Sequence, residues 1–161
     1  MTTSVPRLWI GAVAHPAFRC GGWARLRLDG GPPVGWAGGE RQTTSLRMTL
    51  TVLAATLADL PPPAADASPL TLGVVSDEAR SVADVLAGRG PGPEGELDLW
   101  AKVQAAARGR RLTLTPLVSA PNTPAGFVTA WAEFAMNRAK DKGPFSAAIP
   151  KPNLATIARQ A

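Results

Sequence analysis

Residues 7–39, RLWIGAVAHPAFRCGGWARLRLDGGPPVGWAGG, decide the fold, because they predict three strands joined by short turns. The apolar segment Arg7–Ala14 predicts a central, buried strand. Polar and apolar residues alternate in Gly21–Asp29, which predicts a second strand with one face open to water. After a Gly-Gly-Pro-Pro turn, Val34–Gly39 predicts a third strand that returns beside the second. The chain therefore begins with an antiparallel sheet of three strands.

The remaining sequence alternates between helix and strand patterns. Leucines recur at steps of three and four between residues 46 and 60, which predicts one amphipathic helix behind the capping hydroxyls of residues 43–45. Two further strands are predicted at Leu70–Val75 and Arg111–Val118, and three further helices end near Leu86, Ala107 and Lys140. The order β-β-β-α-β-α-α-β-α predicts an α/β fold with a mixed five-stranded sheet and helices on both faces.

The domain organisation follows from the length and from the last prolines. A chain of 161 residues is enough for one domain, which we assign to residues 1–140. Residues 141–161 contain Pro144, Pro150 and Pro152 and are expected to form a tail, in which Phe145 and Ile149 are the candidates for docking on the domain. On the last predicted helix, the apolar stripe is expected to consist of Phe127, Ala130, Trp131, Phe134 and Ala135.

The charge and the rare residue types limit the possible chemistry. Lysine and arginine number 17 against 12 acidic residues, a net charge of +5, with the positive excess at both ends of the chain. Such an excess permits a polyanionic partner. Cys20 is the only cysteine and His15 the only histidine, which excludes an internal disulfide and argues against a cysteine-rich zinc site or a serine triad. No apolar run reaches the length of a membrane span, so we expect a cytoplasmic protein with no membrane partner.

Four short motifs in this order resemble ribonuclease H type 1 over roughly residues 7–140. The family's second strand opens with G-G-[YW]-[GA], and Gly21–Ala24 is similar. Its first helix opens with T-T-N-N-R-M-E-L, and Thr43–Leu50 is similar. A later helix opens with D-L-W, as at Asp98–Trp100, and the last helix carries D-x-L-A where this chain has Ala132–Ala135.

The resemblance implies two-metal hydrolysis of the RNA strand in an RNA–DNA hybrid, which needs several converging carboxylates around Mg²⁺. At the positions of the family's four acidic ligands, this chain has other residue types. They are Gly11 or Ala12 on the first strand, Thr49 on the first helix, Ser76 after the fourth strand and Ala132 on the last helix. Asp77 is a possible remnant, although it is equally suited to cap a helix. We therefore expect a pseudoenzyme without a metal or other cofactor, and Mg²⁺ only in a divergent nuclease.

The binding surface implied by the resemblance is expected to survive in part. At the start of the first helix, Thr43, Thr44, Ser45 and Arg47 are expected to hold a phosphate, or else the hydroxyls only cap the helix. Arg25 and Arg27 share one strand face, with Arg19 and Arg41 expected nearby. They predict a phosphate track, or else an ordinary solvated surface.

Three functions follow from these observations. The first is a module that binds RNA–DNA hybrid or duplex without cleavage, as a subunit of a larger complex. The second is a protein–protein scaffold without nucleic-acid contact. The third is a divergent metal-dependent ribonuclease H that uses Asp77 and its neighbours.

Overall fold

A mixed six-stranded sheet forms the centre of the protein. The structure, a computed structural model, describes residues 6–63 and 68–158. The strands of this part of the chain are β1 (Arg7–His15), β2 (Cys20–Leu28), β3 (Val34–Arg41), β4 (Leu70–Val75), β5 (Leu112–Pro116) and β6 (Phe145–Ala148). Their order is β5-β4-β1-β2-β3-β6. The first three strands and β6 are antiparallel neighbours, while β1, β4 and β5 are parallel.

Helices cover both faces of the sheet, as the sequence predicts. They are α1 (Ser45–Ala58), α2 (Ala79–Leu86), α3 (Leu97–Ala107), α4 (Pro124–Lys142) and α5 (Lys151–Ala158). Residues of α1, α2 and α3 share one apolar cluster with the sheet, and residues of α4 and α5 share a second cluster. Within the described residues, none of these helices is long and apolar enough to cross a membrane.

The strand count corrects the prediction of five strands and a tail. Residues 145–148 form β6 and pair antiparallel with β3, from Trp36 opposite Ala148 to Gly39 opposite Phe145. The segment that follows is anchored by three buried side chains: Ile149, Leu154 and Ile157. Four residues, Phe-Ser-Ala-Ala, are too short to show the alternation by which a strand is predicted. The prolines around them indicated a tail, yet the chain up to residue 158 packs on the sheet.

The inward face of α4 also differs from the prediction. Its buried residues are small ones: Ala125, Val128, Ala132, Ala135 and Ala139. Phe127 and Trp131 are only half-buried, and Phe134 is exposed. The reason lies in the glycines of the sheet, because the helix backbone lies directly on them. A Cβ added to Gly22 would lie 2.5 Å from the Met136 backbone nitrogen, which leaves no room for aromatic rings between helix and sheet.

Candidate functional site

The first helix and the end of β4 meet through two hydroxyl groups. Thr49 is fully buried on α1, and Ser76 follows directly after β4. Their side-chain oxygens lie 2.6 Å apart. The Thr49 hydroxyl donates to the Ser45 carbonyl at 2.8 Å, so its single proton is used and Ser76 must donate to Thr49. The Ser76 oxygen in turn accepts the backbone N–H of Glu78 at 3.0 Å, and both hydroxyls are satisfied.

Two further positions implied by the resemblance carry no polar group. Gly11 pairs with Val75 in register and faces α4, where an added Cβ would lie 3.0 Å from the Val128 backbone. Ala12 points to the other face, into the apolar cluster beneath α1. Ala132 is fully buried on the inward face of α4. Any longer side chain at Gly11 or Ala132 would require the helix to move away from the sheet.

These residues do not fit a magnesium pair. Mg²⁺ prefers anionic oxygen ligands, whereas the four positions offer two neutral hydroxyls already bonded to each other. Among residues 6–63 and 68–158, no group of three or more His, Cys, Asp or Glu side chains is arranged to hold a metal. Asp77 is exposed in the turn before α2. It does not cap that helix: Glu78 occupies the cap position, and the Ser76 hydroxyl accepts the turn's backbone N–H.

The start of α1 lies against the turn between β1 and β2. The Thr43 backbone N–H donates to the Arg19 carbonyl at 2.9 Å. Thr44 is the helix N-cap, and its hydroxyl accepts the Arg47 backbone N–H at 3.1 Å. Thr43 is 6% exposed, and its hydroxyl oxygen has no hydrogen-bond partner among the described residues. The structure thus brings together Arg19, Thr43 and Thr44 from two separate parts of the sequence.

Arg47 is engaged by acidic residues at the start of α3. Its guanidinium bonds to the Glu96 carboxylate and lies 3.6 Å from a carboxylate oxygen of Asp98. The hydrogen bond that Arg47 donates to the Glu96 carboxylate raises the pKa of Arg47 above its ordinary value. Burial opposes ionisation of Asp98, but the Leu99 N–H and the Arg47 guanidinium lower the pKa of that carboxyl below its ordinary value. Arg47 therefore ties α1 to α3.

Arg25 and Arg27 lie near the far end of β2 from the β1–β2 turn. One Arg25 nitrogen bonds to the Ala55 carbonyl at 3.2 Å and lies 3.3 Å from the Asp59 carboxylate. Arg27 lies 3.3 Å from the carboxylate of Asp29. The strand face that carries these arginines is covered by α1, so it is not the wet face that alternation predicts.

Arg41 lies at the same end of the sheet as Arg19, opposite Cys20 in register. Its guanidinium donates to the carbonyls of Ala139 and Lys140 at 2.9 and 3.0 Å. These carbonyls belong to the last turns of α4, where a cation is favoured by the helix dipole. Arg41 therefore fixes the end of α4 beside the β1–β2 turn.

Two residues at this end were not predicted from the sequence. Phe18, at the β1–β2 turn, is 57% exposed, and the Lys140 ammonium lies 3.9 Å from the centre of its ring. More than 100 residues of sequence separate the two, so only the docking of α4 reveals their contact. No local pattern in the sequence could have found this pair.

Comparisons with known proteins agree with this architecture. Neither a protein-family model nor a curated protein matches the sequence. The N-terminal ribonuclease H domain of a Mycobacterium tuberculosis protein, solved as a fusion with maltose-binding protein, matches with a TM-score of 0.65 and 16% identity over 87% of this chain and 98% of that chain. LC11-RNase H1 in complex with RNA/DNA hybrid matches with a TM-score of 0.63 and 14% identity over 83% and 98%.

A third similar structure is LC9-RNase H1, a type 1 ribonuclease H with the type 2 active-site motif. It matches with a TM-score of 0.59 and 14% identity over 99% of this chain and 86% of that chain. The strand order, the helices on both faces and these three similarities lead to one conclusion: this chain has the ribonuclease H fold.

Proposed function

We propose that this protein is a nucleic-acid-binding module with a ribonuclease H fold that holds RNA–DNA hybrid or duplex without cutting it. The nucleic-acid-binding part of this proposal rests on the contact between Arg19 and the start of α1. The Arg19 backbone carbonyl makes this contact, which places an exposed arginine next to a helix N-terminus. Backbone N–H groups and the helix dipole favour a phosphate there. One protein of the same fold, LC11-RNase H1, is known in complex with RNA/DNA hybrid.

Fewer residues are free to contact a phosphate than the number of arginines in the sequence suggests. Arg25, Arg27 and Arg47 are each within ion-pair distance of a carboxylate, so a phosphate would have to compete with Asp59, Asp29 or Glu96. Arg19 and Thr44 are exposed and carry the phosphate contact, with Ser45 beside them. The hydroxyl of Thr43 is buried, so Thr43 contributes through the shape of the turn.

The absence of cleavage is argued from the donor groups. Hydrolysis by two metal ions requires carboxylates that both hold the ions and offset their charge. Thr49 and Ser76 are neutral and bonded to each other, and Gly11 and Ala132 are packed against backbone. A divergent nuclease would have to work around the single exposed carboxylate of Asp77 and its neighbour Glu78.

A protein–protein scaffold is the second candidate, and the outer side of α4 favours it. The rings of Trp131 and Phe134 lie 5.3 Å apart in an edge-to-face contact, and Phe134 is 51% exposed. Exposed aromatic residues are enriched where proteins meet. We include this surface in the first proposal as the contact with a larger assembly in the cytoplasm. In the scaffold proposal it is the main functional surface.

A binding titration separates these candidates. Fluorescence anisotropy of labelled hybrid, double-stranded and single-stranded oligonucleotides should rise on addition of the protein. The logarithm of the affinity should fall linearly with the logarithm of the salt concentration. Replacement of Arg19 by Ala should weaken binding, whereas Phe134→Ala should leave it unchanged. Affinity that is absent at about 50 mM salt, where phosphate contacts are strong, favours the scaffold.

A further inference from the structure

The β1–β2 turn is held in a fixed shape by its own histidine. The His15 ring nitrogen Nδ1 accepts the backbone N–H groups of Ala17 and Phe18 at 3.2 and 3.4 Å. The Arg19 backbone N–H donates to the His15 carbonyl at 2.8 Å. Arg19 itself has φ +54°, a left-handed conformation that few residues other than glycine adopt. The turn is therefore built to present Phe18 in one position.

Phe18 is exposed at the tip of this turn although two rigid neighbours touch it. The His15 ring lies 4.7 Å away, tilted by 52°, and the Lys140 ammonium covers the phenyl ring at 3.9 Å. More than half of the Phe18 surface stays open to solvent, at 57% exposure. The exposed part of the phenyl ring contributes no burial to folding, so this surface is available to an apolar or aromatic ligand, whose binding would remove it from water.

The charges around Phe18 indicate what that ligand is. Arg19 follows it in sequence, and Lys140 is fixed at the end of α4 by the bonds that Arg41 makes there. Exposed acidic residues, Glu40 and Asp141, neighbour Arg41 and Lys140 in sequence, so this surface is not uniformly basic. The aromatic ring is therefore the distinctive element, and the two cations flank it.

We propose that Phe18 stacks on an unpaired nucleobase while Arg19 and Lys140 contact the adjoining phosphates. This inference rests on the proposed nucleic-acid binding and adds a preference to it. Inside a duplex both faces of every base are covered by neighbouring bases, whereas an unpaired base in an overhang has its faces free and can turn to meet the ring. The site thus favours a hybrid or duplex that ends in a single-stranded overhang.

The preorganised turn makes such stacking effective. The hydrogen bonds of His15 and the left-handed Arg19 fix the backbone before any ligand arrives, so little conformational entropy is lost on binding. Phe134 offers a matched comparison, because it is exposed to a similar degree at 51%. It differs in its surroundings: its ring contact is with Trp131, and its sequence neighbour Glu133 is acidic.

The test compares a blunt hybrid with the same hybrid extended by a short overhang that carries 2-aminopurine as its first unpaired base. The wild-type protein should bind the extended hybrid more tightly and change the 2-aminopurine fluorescence. Phe18→Ala should weaken binding of the extended hybrid by roughly 5- to 150-fold, the range that corresponds to loss of one stacked base. Its affinity for the blunt hybrid should stay unchanged.

Three further variants serve as controls for this interpretation. Phe134→Ala removes an equally exposed phenyl ring and should alter neither affinity. Phe18→Trp keeps an aromatic face and should retain the tighter binding, whereas Phe18→Leu keeps apolar bulk alone and should lose it. Circular dichroism of each variant confirms that the fold is intact, and any variant that keeps its fold reports on binding.

Three results would overturn the inference. If the wild-type protein binds both hybrids equally, the stacking site is wrong while the proposed binding stands. If Phe18→Ala weakens both hybrids equally, Phe18 contacts the duplex and not an unpaired base. If neither hybrid binds at low salt, the proposed function fails and this inference fails with it.

Discussion

The hydroxyl oxygens of Thr49 and Ser76 lie 2.6 Å apart, at the two places where the resemblance to ribonuclease H type 1 implies a glutamate and an aspartate. Two carboxylates at such a separation would repel each other without a cation between them. Two hydroxyls instead form a neutral bridge from α1 to the end of β4. The two positions that serve metal binding in that family therefore serve packing in this chain.

The hydroxyl bridge should contribute to stability. We expect Thr49→Val, which keeps the volume but removes the oxygen, to lower the free energy of unfolding by about 1 kcal/mol, because Thr49 is fully buried. Urea denaturation measures this, and Thr49→Ser is the control that keeps the hydroxyl. A double-mutant cycle with Ser76→Ala should give a coupling energy that differs from zero. Strictly additive effects would mean that the two hydroxyls do not interact.

Variants of Arg25 and Arg19 should show that the two arginines serve different purposes, one protein stability and the other nucleic-acid binding. Arg25 contacts the Ala55 carbonyl and the Asp59 carboxylate, so Arg25→Met should reduce the free energy of unfolding by about 1 kcal/mol and leave nucleic-acid affinity unchanged. Arg19→Ala should leave the free energy of unfolding unchanged and weaken nucleic-acid binding, because Arg19 is exposed beside the start of α1. Urea denaturation and anisotropy are measured on the same two variants. If Arg25→Met lost affinity and Arg19→Ala did not, the nucleic-acid interface would lie at the far end of β2 and not at the start of α1.

The close approach of α4 to the sheet makes Gly22 irreplaceable. An added Cβ would meet the backbone of α4, 2.5 Å from the Met136 nitrogen, so we expect Gly22→Ala to lower the free energy of unfolding by about 3 kcal/mol or more. Gly31→Ala is the control, because the nearest atom to its new Cβ is an Asp29 carboxylate oxygen at 3.7 Å. Thermal or urea denaturation distinguishes the two. Equal stabilities would contradict the observed packing of α4.

The last helix should behave as part of the core. Leu154 is 5% exposed and packs with Ile149 near Gly35, so Leu154→Ala should lower the free energy of unfolding by about 2–4 kcal/mol. Lys151→Ala, on the exposed side of α5, should have a negligible effect. Denaturation curves measured by circular dichroism test both. An unchanged midpoint in Leu154→Ala would contradict the packing of α5 against the sheet.

Patterns local to one element predicted most of the fold. The predicted strand Leu70–Val75 has the same bounds in the structure, and the helix predicted to end near Ala107 does end there, because each is a compact apolar or helical pattern between turn residues. The inward face of α4 was predicted only in part: Ala135 is fully buried, but Phe127 and Trp131 are half-buried beside the second apolar cluster and Phe134 is exposed. Hydrophobicity alone favours aromatic residues for the core. The sheet beneath it carries glycines that lie directly against the helix backbone, so small residues, four alanines and Val128, form the buried face.

The sequence predicted which residues lie at the candidate site, but not which partners their side chains contact. The motif at Thr43–Leu50 located the start of α1, and the positions of Thr49 and Ser76 do meet as the resemblance implies. The partners of the arginines depend on tertiary contacts that no sequence spacing reveals. Asp59 beside Arg25 and Glu96 beside Arg47 are examples, separated by tens of residues along the chain.

One measurement tests the central proposal, binding without cleavage. RNA–DNA hybrid labelled on its RNA strand is incubated with the protein and Mg²⁺, and the sample is divided between a native gel and a denaturing gel. We expect a retarded band on the native gel that weakens as salt is raised, and an intact RNA strand on the denaturing gel. Metal-dependent cleavage that disappears in Asp77→Asn, or no retardation at about 50 mM salt, would contradict the proposal.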